Sequence, residues 1–294
     1  MVHKPVLLKE ILQYLDPKPN DNFIDATVGQ LGHTLAILEK NKPAGRVLGI
    51  DLDCHQIEWA KSAARKYKTR VRLVNDSYIY LKEIAERENF YPVKGILLDL
   101  GMSSWHLEGS GRGFSFNKDE VLDMRYDRQN VLTAEAIVNE YSQEEIGRIL
   151  KDYGSEKFAR QIARKIIEQR KIKRIKSTFD LKKIIGRVLS ARFGHNRIHF
   201  ATRTFQALRI AVNGEVDNVR KVLPQALGVL PKGGRLAVIS FHSLEDRVVK
   251  NFFKEKEKEK IIKILTKKPV TASQNELANN PRARSAKLRV AIKI

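Results

Sequence analysis

Over the first hundred residues, short apolar runs alternate with stretches whose apolar positions recur at helical spacing. The runs at residues 22–24, 46–50, 71–74 and 95–98 are rich in branched and leucine side chains and predict strands. Between them, residues 7–14, 33–40, 54–66 and 78–88 read as helices. Strands that are apolar on both faces need cover on both faces. Short connections through helices supply it, so an α/β open parallel sheet is expected.

The pattern changes after residue 100. Residues 101–120 are rich in Gly and Ser with scattered aromatics and read as a long structured loop. From residue 133 to about 190 every apolar period is helical, over 133–140, 143–152, 156–170 and 178–189. Thr133 stands at a helix-capping position. No strand interrupts this block, which marks it as an insertion in the α/β chain. Residues 202–230 are again helical, 233–241 form a strand behind a Gly-Gly turn, and 243–260 a helix that Ser243 and Asp246 would cap as a box. Residues 261–265 and 287–294 read as strands, with a loop over 266–284. The expected division is a core at 1–107, a helical insert at 108–200 and the rest of the core at 201–294.

Charge sharpens this picture. The chain has 294 residues and a net charge of +21. Residues 157–197 hold fourteen basic and two acidic residues, a local +12 that is over half the total. The centre, "RQIARKIIEQRKIKRIKS", carries Ile162, Ile166 and Ile167 at helical spacing. It is therefore an amphipathic helix and not a charged tail. Pooled positive charge on a folded face points to a polyanion, with RNA or DNA the natural source of phosphate. Arg160, Arg164, Lys165, Arg170, Lys171, Lys173 and Arg174 are the candidate contacts, with Arg203 beyond them. The single Cys54 excludes an internal disulfide and a Cys-rich zinc site, and no metal is expected. No apolar run has the length of a membrane span, and no leader pattern is recognisable, so a soluble cytoplasmic setting is expected.

Candidate chemistry begins at "DATVGQLGH", residues 25–33. This glycine loop between strand and helix lacks the spacing of dinucleotide and P-loop motifs. Asp25 at its head would repel a pyrophosphate but suits a ligand bearing an ammonium group. Asp51 ends the second strand, where a carboxylate can accept from both hydroxyls of a ribose. Asn75 to Tyr78 could flank an adenine, and Asp99 ends the fourth strand. An adenosine joined to an amino acid fits both acids, which describes S-adenosylmethionine. His3, His33 and His242 each read more simply as core or loop histidines, although His33 gains from its place in the loop.

"HKPVLLKE", "DATVGQLGH", "LLDLGMSS", "RGFSF", "LDMRYD", "HFATRTFQALRIAVNGEV", "GGRLAVISFHSLEDRVVK" and "NPRARSAKLRV" occur in this order along nearly the whole chain. Together they resemble the bacterial small-subunit rRNA cytosine-N4 methyltransferases of the MraW (RsmH) family. The resemblance implies a class I S-adenosylmethionine-dependent methyltransferase fold, a Rossmann-like sheet with an antiparallel last strand and an inserted all-helical substrate domain. It implies methylation of a cytidine in the decoding centre of 16S rRNA, within the small ribosomal subunit. It leaves the oligomeric state open, a dimer included. Carried over by motif, donor contacts fall on Leu31, Gly32, His33, Asp51, Tyr78, Asp99 and His106. Leu31 stands where the family has Gly, Tyr78 where it has Phe, His106 where it has Gln and Phe200 where it has Pro. If that glycine has positive φ, Leu31 is strained.

Methylating the cytosine amine requires an acceptor on its N–H, because its lone pair is delocalised into the ring. Asp99 or a neighbouring carbonyl is the candidate acceptor, with Ser103 nearby and Trp105 or Phe114 stacking on the base. On the helix from Thr202, Arg209 lies among apolar neighbours. It is read either as gripping substrate together with Arg203, or as paired to an acid such as Glu215 or Asp246. The competing reading of the whole chain is a non-catalytic RNA-binding assembly protein on the same fold.

Overall fold

The computed structural model describes residues 4–67, 69–189 and 199–294. His3 and the last part of the basic run, residues 190–197, lie outside them. The chain divides into two compact units, residues 102–215 and the segments before and after.

In the α/β unit the order is α1 (Leu8–Leu15), β1 (Phe23–Asp25), α2 (Gly32–Lys40), β2 (Val47–Asp51), α3 (Cys54–Ala63), β3 (Val71–Asn75), α4 (Leu81–Arg87) and β4 (Gly95–Asp99). Among the described residues the strands form one seven-stranded sheet, ordered β3-β2-β1-β4-β5-β7-β6. Here β5 is Arg235–Ser240, β6 Ile262–Ile264 and β7 Lys287–Lys293. The first five strands are parallel, and β7 runs antiparallel to β5 and β6. This is the class I methyltransferase topology.

Successive residues of a strand face opposite sides, so each strand feeds two cores. Ile24, Ile96, Leu98 and Val238 pack with Ile84, Val219 and Val249 on one side. Phe23, Leu97, Ala237 and Ile239 pack with Ile11, Ile37 and Leu38 on the other.

The helical unit holds α5 (Ser104–Glu108), α6 (Ala134–Glu140), α7 (Gln143–Gly154), α8 (Ala159–Ile172), α9 (Thr178–Leu189) and α10 (Thr202–Asn213). It has its own core, which includes Leu122, Ile137, Leu150, Ile162, Ile166 and Leu181. It is wider than the expected 108–200 because Phe205, Leu208 and Val212 of α10 belong to this core, and Met102 and Leu107 pack on it. The expected helix over 202–230 is two, α10 and α11 (Glu215–Val229). Gly214 separates them in the left-handed region at φ 59°. The remaining helices are α12 (Ser243–Lys258) and α13 (Gln274–Asn279), the latter inside what reads as loop in the sequence. Among the described residues no helix is long and apolar enough to cross a membrane.

Candidate active site

Asp25, Asp51 and Asp99 are the last residues of β1, β2 and β4, three parallel strands that end at one sheet edge. Strand order reverses between β1 and β4, and a ligand crevice opens at the carboxyl ends on either side of such a reversal. Sequence position alone thus delivers three carboxylates to the place where an α/β sheet binds its ligand.

The glycine loop is built on the first two of these acids. Asp25 is fully buried; its carboxylate accepts from the Thr27 N–H at 3.3 Å and the Thr34 hydroxyl at 2.6 Å. Burial still pushes its carboxyl up to about 6. Both oxygens are engaged, one by Thr27 of the loop and one by Thr34 of α2, so Asp25 shapes the crevice and gives it negative character. Asp51 accepts from the Gly29 N–H and the Asp53 N–H, each at 2.9 Å, which ties the loop to the second strand. Leu31 adopts φ 60° and is fully buried against Val28, Ile57 and Ala60. The strain expected of a side chain at this position is present, and apolar packing offsets it. Gly32 opens α2, and a side chain there would meet the Pro5 ring at 2.9 Å.

His33 is buried, with Nε2 at 2.9 Å from the Val6 carbonyl oxygen. A carbonyl only accepts, so Nε2 carries the proton and Nδ1 presents a lone pair. Burial lowers this imidazole to about 4, so it is neutral at physiological pH. Nδ1 faces Asp99 Oδ2 at 3.6 Å, beyond hydrogen-bond length. Asp99 Oδ1 is buried without a hydrogen-bond partner. Burial, followed by the charges of Asp25 and Glu245, holds the Asp99 carboxyl well above the usual carboxylate range. The Asp99 N–H donates to the Thr27 hydroxyl at 2.7 Å. Tyr78 opens a short turn behind Ser77 and packs partly buried against the core.

A feature without a sequence-level role is the segment at residues 4–7. Pro5 lies on Gly32 and the Val6 carbonyl accepts from His33. The Leu7 N–H donates to Glu276 of α13 at 2.7 Å, and Asn280 donates to the Lys4 carbonyl at 3.2 Å. "HKPVLLKE" carries the resemblance in sequence, but nothing in its residue types reveals that it straps the glycine loop.

The family model described as the MraW methylase family matches residues 1–294. The chain belongs to the MraW methylase family. Among curated proteins it is 45% identical to the ribosomal RNA small subunit methyltransferase H of Persephonella marina, over 99% of each chain. It is 45% identical to the protein of that name from Halothermothrix orenii, over 99% of this chain and 98% of the other. Among solved structures it resembles PH0851 at a TM-score of 0.50 and 13% identity, covering 100% of this chain and 47% of the other, a likeness of fold.

Other candidate residues of this MraW-family chain lie in the helical unit. Ser103 caps α5: His106 Nδ1 lies 3.2 Å from the Ser103 N–H and 3.0 Å from its hydroxyl. His106 is buried with its ring edge-on to Trp105, Phe114 and Tyr126. Phe114 stacks on Tyr126 at 5.3 Å, so this ring is part of the core and does not offer a free face to a base. Arg209 is paired through two bonds of 2.8 and 2.9 Å to Glu215, both side chains being buried. That geometry favours the structural reading of Arg209 over substrate gripping. Asp246 instead pairs with Arg289 at 2.6 Å. The expected Ser243–Asp246 box is displaced by one residue: His242 caps α12, and Glu245 accepts from the N–H groups of Phe241 and His242.

The basic face is also more differentiated than its sequence. Arg164 and Lys165 pair with Glu168, and Arg174 pairs with Glu135 and Glu140. Arg170 donates to the Val138 and Tyr141 carbonyls and so ties α8 to the end of α6. Arg160, Lys171, Lys173 and Arg203 make no ion pair with a described residue.

Proposed function

We propose that the chain transfers a methyl group from S-adenosylmethionine to the exocyclic amine of a cytidine in the decoding centre of 16S rRNA. The observation that carries this reading is Asp99, with one carboxylate oxygen buried and unpartnered at the carboxyl end of β4, beside the strand-order reversal. An orphaned buried acceptor there fits a ligand with N–H groups to donate.

In this reading Asp51 would accept from the ribose hydroxyls, Tyr78 would flank the adenine, and Leu31, Gly32 and His33 would hold the donor through their backbone. Asp25 and Asp99 favour its cationic end. When bound, the donor supplies an electrophilic methyl on a sulfonium. Asp99 would accept from the amine N–H, localise the nitrogen lone pair and take the proton that the amine loses on methylation. Burial, which holds the Asp99 carboxyl above the usual carboxylate range, makes it a stronger proton acceptor than a solvated carboxylate. Ser103 and His106 follow Asp99 closely in the chain, and their mutual hydrogen bonds hold α5 in shape. The basic face of α8 grips RNA phosphates while the target base is splayed out of its stack. An rRNA substrate places the protein in the cytoplasm.

The test is incubation with labelled S-adenosylmethionine and small ribosomal subunits lacking the modification, followed by mass mapping of the product. The expected product is a cytidine methylated at N4. Asp99→Asn lowers turnover by about 10²–10⁴. Unchanged donor affinity and turnover in Asp99→Asn would remove the proposed role.

A further inference from the structure

Between α8 and α9 the helical unit carries a partly open cavity of about 100 Å³, space for several water molecules, with Lys173, Lys183 and Arg187 exposed at its rim. Its lining includes Gln169 and Lys173 from one side and Lys183 and Arg187 from the other, over a floor of Ile175 and Ile184. The spacings explain the convergence. Gln169 and Lys173 are four apart on α8 and its C-terminal cap, and Lys183 and Arg187 are four apart on α9. Each pair therefore shares a helix face.

Among the described residues, Lys173, Lys183 and Arg187 have no acidic partner. Arg164, Lys165 and Arg174 are matched by Glu168, Glu135 and Glu140. Arg160 and Lys171 also lack an acidic partner, so what sets Lys173, Lys183 and Arg187 apart is their convergence on one cavity. Arg187 donates to Gln169 Oε1 at 3.1 Å, which leaves the Gln169 amide hydrogens to donate elsewhere. Asp180 is the acid in the lining, and its carboxylate accepts from the Lys176 N–H. Arg174 also lines the cavity but is held by two glutamates. The remainder is a pocket of converging donors with uncompensated positive charge and an apolar floor.

We propose that this cavity is a discrete phosphate site that takes one backbone phosphodiester of the RNA substrate and so fixes the register of the strand on the helical unit. It rests on the RNA reading above and goes beyond it. A diffuse cationic face attracts a polyanion anywhere, whereas a pocket into which two helices converge their donors, with Arg187 hydrogen-bonded to Gln169, selects one phosphate. Lys183 and Arg187, which composition does not distinguish from their basic neighbours, become its principal ligands. Lys173 and Gln169 complete it.

The test uses the full chain, with Lys183→Gln/Arg187→Gln as the pocket variant. Lys254→Gln/Lys258→Gln on α12 is an equal-charge control. RNA affinity is measured by fluorescence anisotropy over a salt series, with a labelled RNA fragment of the small-subunit decoding region. The pocket variant is expected to bind several-fold more weakly, with a log–log salt slope shallower by about one. Its S-adenosylmethionine affinity and melting temperature should match the parent, and the control should keep the parent slope. Lys173→Gln alone should give a smaller loss in the same direction. Parent-like affinity and slope in the pocket variant overturn the proposal. A parent that binds RNA without salt dependence overturns the RNA reading itself, which is a different result. Inorganic phosphate is the second arm. Calorimetric binding of phosphate that is lost in the pocket variant, while RNA affinity is unchanged, overturns the RNA assignment in favour of a free anion.

Discussion

Leu31 is held at φ 60° and yet is completely buried. The left-handed conformation costs a side-chain-bearing residue roughly 1–2 kcal/mol, while burying a leucine contributes about 1.5–3 kcal/mol. Removing the side chain also leaves a cavity between Val28, Ile57 and Ala60, which adds to the loss. Leu31→Gly is therefore expected to relieve the strain and still destabilise the protein by about 1–3 kcal/mol, read from urea denaturation. A variant as stable as the parent would mean that strain outweighs packing here. The departure from glycine is legible in the sequence, and so is the strain. Its offset is not, because the partners come from α3 and the loop and meet only in the fold. Asp25 teaches a similar lesson. An acid at the head of the loop reads as a ligand group, but Thr27 of the same motif and Thr34 just beyond it on α2 take its oxygens.

At the scale of elements, strands and most helices follow from hydropathy, because burial on two faces dictates apolar runs. The misses lie where a single backbone conformation or a side-chain cap decides. Gly214 breaks one long helical signal into α10 and α11, and His242 with Glu245 starts α12 one residue earlier than Ser243 would. Arg209 links two such elements. Glu215, its partner, also accepts from the Tyr126 hydroxyl at 3.2 Å. Asn213 accepts from the Tyr126 N–H and donates to the Met124 carbonyl, so the end of α10 is sewn to the 122–127 loop. Removing one member of a buried pair leaves the other charge uncompensated, at a cost of about 3–5 kcal/mol. Arg209→Ala should lose that much stability in equilibrium unfolding. Arg203→Ala, whose parent residue makes no described ion pair, should lose little stability and weaken RNA binding. Equal stability of the two variants would contradict this division of roles. The sequence raised both readings of Arg209; only the position of Glu215 across Gly214 separates them.

For the molecule as a whole, two buried groups oppose each other in pH dependence. Asp25 has a folded value of about 6, above its ordinary 3.8, so the folded chain keeps a proton that the unfolded chain has released. Its contribution to stability declines as pH rises through that interval. His33 has a folded value of about 4, below its ordinary 6.5, so the unfolded chain binds the extra proton and stability climbs with pH over that interval. Each shift is about 2 units, of the order of 3 kcal/mol. The windows of Asp25 and His33 largely offset each other, and the raised carboxyl of Asp99 adds a further decline as pH rises. Asp25→Asn should reveal the climb and His33→Gln the decline, in denaturant titrations repeated across this pH range. Identical profiles in parent and both variants would contradict the burial of these groups. The division into α/β and helical units was legible because apolar period and charge both change near residue 100. The widening to 102–215 was not, because it depends on which core α10 joins. The strap over the glycine loop has a consequence in time. Leu7 and Glu276, 269 positions apart, meet beside Gly32 and His33. A ribosome releases the first long before it makes the second. A nascent chain can complete much of its sheet and still lack the contact that braces the segment lying on Gly32 and His33, which waits until α13 emerges.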